Sequence, residues 1–131
     1  MTYVSLSDKL NILSRLVEVA KADGVVNPAE ISYIFWTAQK LKLSQLEIQR
    51  TLSNPHPSRR PILMNERIEL FHQCITMAWI DNRLETEEIE ICRKIANDLS
   101  LAPSSVEATF EQLNTSSEMV TLDELKKLFG L

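Results

Sequence analysis

Ala20-Lys21-Ala22-Asp23-Gly24-Val25-Val26-Asn27-Pro28-Ala29-Glu30-Ile31 returns 58 residues later as Ala78-Trp79-Ile80-Asp81-Asn82-Arg83-Leu84-Glu85-Thr86-Glu87-Glu88-Ile89. The match continues without a gap through Ala38/Ala96, Leu41/Leu99, Leu43/Leu101, Ile48/Val106 and Leu52/Phe110. Each copy reads as helix, acidic loop, helix, short turn, helix. A repeat at a fixed offset sets the architecture, because each copy is one unit that cannot bury its apolar face alone. It also puts one Asp and one Glu at equivalent places in each half.

Working outward from the repeat, the periodicity is helical throughout. Leu6, Leu10, Leu13, Leu16, Val17 and Ala20 recur at three- and four-residue steps, an amphipathic stripe. Ser5 or Ser7 can cap that helix. Asn27, Pro28 and Glu30 form a capping box with proline at the first helical position. Ser44 with Glu47, and Thr121 with Glu124, repeat the box, while Asn65 and Ser104 are the expected caps of two further helices. Pro55, Pro57 and Pro61 mark the connection between the halves. The expected fold is all-α, a compact helical bundle of about seven helices built from two pseudo-repeated halves. The halves cover about 6–53 and 65–113, a last helix covers about 121–129, and one domain spans 1–131.

The bulk numbers narrow the function. The chain has 131 residues, 44% of them hydrophobic, and a net charge of −4. That balance disfavours a phosphate-backbone partner, which needs concentrated positive charge. The segment Glu30 to Leu52 resembles a helix–turn–helix, but its final helix is short and carries a single arginine, Arg50. No nucleic-acid partner is expected. No apolar run is long enough for direct membrane insertion. The first residues lack the basic start and apolar stretch of a signal peptide, and there are only two cysteines, so a cytoplasmic location with reduced thiols is expected. Cys74 and Cys92 lie on apolar stripes and read as small buried hydrophobes. Trp36 and Trp79 flank the two hairpins, and core closure is expected of both. The sequence has no nucleophile–base pair, no zinc-ligand spacing, and only two glycines, too few for a nucleotide cradle. The expectation is a protein that is not an enzyme.

The acidic loops allow two readings. In the first, Asp23 and Asp81 accept backbone N–H bonds as Asx-turns, Gly24 and Asn82 take the left-handed conformation, and Glu30 caps the next helix. In the second, the Asp and Glu oxygens join loop carbonyls and water around a hard divalent cation, calcium or magnesium. The second loop has Glu85, Glu87, Glu88 and Glu90 close by.

The pattern Ala-x-x-Asp-(Gly/Asn)-x-(Val/Leu)-x-x-x-Glu, present twice over roughly Leu6 to Leu113, resembles the TerB-like family. That family includes tellurite-resistance proteins and the N-terminal cytoplasmic region of a membrane-anchored DnaJ-like co-chaperone. The resemblance implies an all-helical fold in two related halves and a link to stress responses. It also implies that Asp23, Glu30, Asp81 and Glu88 are the metal positions. Asn82, where the first copy has Gly24, departs from the pattern and makes close approach of the second loop's backbone to an ion harder. The function expected on this basis is a non-enzymatic interaction or scaffold domain in a stress-response, tellurite-resistance-like pathway. Its partner would be a protein, a second copy in a homodimer included. The alternative is a metal-responsive sensor or buffer in which cation binding is itself the function.

Overall fold

The computed structural model describes residues 5–22, 24, 27–55, 63–80, 85–116 and 118–131. Among these residues there are seven helices and no strand. They are α1 (Leu6–Lys21), α2 (Pro28–Lys40), α3 (Gln45–Ser53), α4 (Met64–Ala78), α5 (Thr86–Asp98), α6 (Pro103–Thr115) and α7 (Leu122–Leu128). The fold is the expected all-α one. No helix among the described residues is long and apolar enough to cross a membrane.

The helix starts follow local chemistry. Ser5 accepts the Asp8 N–H and caps α1. Capping boxes open α2 at Asn27/Glu30, α3 at Ser44/Glu47 and α7 at Thr121/Glu124. Two expected caps are displaced. α4 starts at Met64 with Leu63 at the cap position and no side-chain cap, so Asn65 is already helical. α6 starts at Pro103, ahead of Ser104, because proline has no N–H to satisfy and its fixed φ suits the first helical position.

The repeat holds at the helix ends as well. Leu41 and Leu99 end α2 and α5. The residues that follow, Lys42 and Ser100, have φ of 59° and 56°. Leu43 N–H then reaches back to the Ala38 carbonyl at 3.1 Å, and Leu101 N–H to that of Ala96 at 3.0 Å. Lys42 N–H bonds Gln39, and Ser100 N–H bonds Asn97, both at 3.0 Å. This is the Schellman stop, in which a left-handed residue turns the last free carbonyls inward. It occurs twice at the repeat offset, both times without glycine. Each third helix also carries a buried threonine bonded one turn back, Thr51 to Glu47 and Thr109 to Ser105.

α1 sits at the centre, packed against α2, α3, α4 and α5. Every residue from Asn11 to Val17 is buried, including Asn11, Ser14 and Arg15. A stripe reading would have left those three in solvent. Arg15 is held by Asp98 of α5 at 3.1 Å and Glu18 at 3.6 Å, while Lys94 of α5 lies 4.0 Å from Glu18. The arginine stem fills apolar space while its head pins one half to the other. Leu6, at the outer end of the stripe, is 52% exposed.

In the second half Phe71 of α4 is fully buried. It meets Phe110 of α6 and Phe129 edge to face, at centroid distances of 6.3 and 6.2 Å. Such pairs add about 0.5–1.5 kcal/mol each to the area they bury. Cys74 and Cys92 are free and fully buried.

Candidate functional site

Two of the four acidic positions, Glu30 and Glu88, lie among the described residues; Asp23 and Asp81 lie outside them. Glu30 and Glu88 occupy equivalent places, third in α2 and third in α5. Both are almost fully buried. Glu30 Oε1 accepts the Asn27 N–H at 3.3 Å, and Glu88 Oε1 accepts the Glu85 N–H at 3.2 Å. One oxygen of each carboxylate is therefore committed to a backbone donor, in the field of a helix N-terminus that favours its charge. The described residues contain no group of three or more His, Cys, Asp or Glu able to hold a metal ion. As far as the structure describes these positions, they serve as helix caps.

The α2 face turned away from the core is more informative. Ile34, Thr37 and Ala38 bury one side of the helix. Trp36 lies two residues from Ile34, about 160° round the axis at 3.6 residues per turn. It does not close the core as expected: it is 52% exposed. Tyr33 stacks against it at 5.8 Å with 26° between the rings. The Lys40 ammonium sits 4.5 Å from its centroid, a cation–π contact. Ile31, on the same helix, is 40% exposed. Burial pushes the Tyr33 phenol up to about 12, with Cys74 adding to the effect, so the ring stays neutral at ordinary pH. Trp79 ends α4 as its C-cap residue and is half-buried.

This aromatic face was legible in the helical phase. Placing Ile34 inward obliges Trp36 outward, a stronger signal than the general preference of tryptophan for the core. Rigid rings at half exposure with a cation beside them can bury area on a partner at little entropic cost.

A cleft lies between α1 and α3. It has a volume of about 660 Å³. Ser7, Leu10 and Ser14 form one wall, and Leu46, Gln49 and Arg50 part of the other. Arg50 is the one charged residue among the described lining, and Leu46 is 54% exposed. The three basic side chains Lys40, Lys42 and Arg50 have separate places: Lys40 covers Trp36, Lys42 turns the chain, and Arg50 faces the cleft.

Cys74, Cys92 and His72, among the described residues, are held within the packing of the fold. Burial raises the Cys74 thiol to about 12, partly offset by Arg15, and raises Cys92 well above the ordinary thiol range. Neither is a thiolate at neutral pH, and thiolate is the reactive form. His72 is half-buried, with Nε2 2.8 Å from the Val120 carbonyl, to which it donates in the Nε2–H form. Burial lowers its pKa.

No protein-family model, curated protein or solved structure matches the chain.

Proposed function

We propose that this chain is a non-enzymatic protein-interaction module of TerB-like kind that acts as a scaffold in a stress response. The observation that carries the interaction reading is Trp36, held half-exposed on the side of α2 opposite the core, stacked on Tyr33 and covered by Lys40. Exposed tryptophans held rigid in this way are the residue type on which binding energy concentrates. The TerB-like label and the stress setting rest on the duplicated acidic motif. Support for the 58-residue repeat comes from the paired capping boxes and paired Schellman stops. The proposal of a divalent cation rests on the loop sequence, since Glu30 and Glu88 are engaged as caps.

The test compares affinity capture from native lysate by the full chain and by Trp36→Ala, with and without calcium or magnesium. The expected result is a saturable protein partner whose affinity drops by roughly 30-fold in the variant, as for a tryptophan hot spot. Because Trp36 is half outside the fold, the variant should keep the parent's melting temperature to within about 2 °C. A set of partners unchanged by Trp36→Ala would end this reading of the α2 face. Capture that depends on the added cation would tie the acidic loops to the same function.

A further inference from the structure

The two halves differ in charge. Residues 1–62 carry eight Lys or Arg and five Asp or Glu, a net +3, and residues 63–131 carry six and thirteen, a net −7. Shifted by the repeat, the outward residues of α2 fall on those of α5: Ala29 on Glu87, Ser32 on Glu90, Trp36 on Lys94, Gln39 on Asn97 and Lys40 on Asp98. All ten are exposed. On α2 this face presents Trp36 and Lys40 and no carboxylate, because the one acid of the helix, Glu30, is buried as a cap. On α5 the same face opens with Glu87 and Glu90. The cations next to them along the helix are engaged. Glu107 holds Arg93 through bonds of 2.8 and 2.7 Å, and Lys94 lies 4.0 Å from Glu18.

The surface complementary to α2 is therefore carried by the chain itself, on a helix of the same 13-residue length. We infer that the α2 face of one molecule docks antiparallel on the α5 face of a second copy. The charges set the direction. Lys40 and Lys42 lie at the end of α2, while Glu87 and Glu90 lie at the start of α5, so antiparallel pairing alone brings them together. It also places the negative C-terminal end of α2 beside the positive N-terminal end of α5. Trp36, one turn inside Lys40, then meets the half-buried Ile91, one turn inside Glu87. The two copies share a net charge of −4. At physiological salt the Debye length is about 8 Å, so the charges in contact count for more than the totals. One pair of helices about 20 Å long buries less than the roughly 1,200 Å² of stable complexes, so the association is weak and depends on concentration. The two faces lie on different helices, so every bound copy keeps one face free, and the contact propagates into a ring or an open chain. The inference rests on the interaction reading of Trp36 and names its partner.

The test is sedimentation velocity of the purified full chain from about 10 μM to 1 mM, the range in which weak complexes form. The mass should rise with concentration past that of two copies. Trp36→Ala/Lys40→Glu blocks one face and Glu87→Gln/Glu90→Lys the other. All four positions are exposed, so both variants should melt within about 2 °C of the parent. Each alone should associate at least about tenfold more weakly than the parent. Mixed in equal amounts they retain one intact α2 face and one intact α5 face between them. The mixture should form a heterodimer of parent affinity that grows no further, and mixing would not repair a folding defect. A parent that stays monomeric at the highest concentration overturns the inference, as does a parent that stops at two copies, which marks a symmetric α2–α2 contact. A mixture of the two variants that stays monomeric also overturns it. A monomeric chain that binds phosphatidylserine vesicles through Trp36 would give the face to an anionic membrane instead. If the chain is monomeric while lysate capture still falls with Trp36→Ala, the second copy is excluded and the α2 interaction reading stands.

Discussion

α3 lies along α1, whereas its counterpart α6 packs on α5 and α7 and meets α4 through the Phe110 ring. The place beside α4 goes to α7, which has no counterpart among the described residues of the first half. The two halves share helix order, capping boxes and Schellman stops, yet one is closed by an added helix and the other keeps a cleft. Their cores diverge accordingly. Leu13 and Leu52 in the first half stand where Phe71 and Phe110 stand in the second, and Phe129 adds a third ring. The difference teaches that local signals are copied faithfully in a duplicated fold, while the packing of the third helix depends on what else reaches the same surface. The half left open is the half that carries the cleft and the exposed Trp36.

The largest test of this asymmetry is core truncation. Phe71→Ala should cost about 4 kcal/mol, because three rings lose their common centre, and Leu13→Ala about 3 kcal/mol. Urea unfolding measures both, and a larger loss at Leu13 would show that the second half is not the better anchored. A smaller and opposite effect is expected at the stops. Lys42→Gly and Ser100→Gly should each raise stability by about 0.5–1 kcal/mol, since a side chain at positive φ is strained and glycine is not. Equal gains would confirm that the two stops are energetically as well as geometrically equivalent, and a loss at either would break the equivalence. The smallest effect belongs to the closed half alone. Burial depresses the His72 pKa, so the unfolded chain takes up its proton first as pH falls. The stability tied to neutral His72 is present above the unfolded value of about 6.5 and is lost as pH drops below it. His72→Gln should flatten the melting-temperature profile between about pH 5 and 7. An unchanged profile would remove His72 from the account of how α7 is held.

Much of the fold could be read before any coordinates. The capping boxes at Asn27/Glu30, Ser44/Glu47 and Thr121/Glu124 are local patterns in which three or four residues satisfy one another, so neighbours suffice to place them. The left-handed residues at Lys42 and Ser100 were not legible, because neither is a residue type that advertises positive φ. The buried Asn11, Ser14 and Arg15 escaped a stripe reading because α1 is covered on every side at its middle. Of the four acidic positions, the two described ones were legible both as caps and as ligands, and the capping bonds are what the structure describes. Trp36 was misplaced by residue preference although its helical phase pointed outward.

The sequence by itself determined the helices, their order, most of their ends and the duplication, because each depends on chemistry within a turn or two of chain. Tertiary structure alone decided that α1 is enclosed, that Arg15 ties it to α5, and that α7 closes one half while the other keeps a cleft. Those outcomes depend on which distant surfaces compete for the same apolar ground, and burial rewards area without regard to where in the chain it comes from.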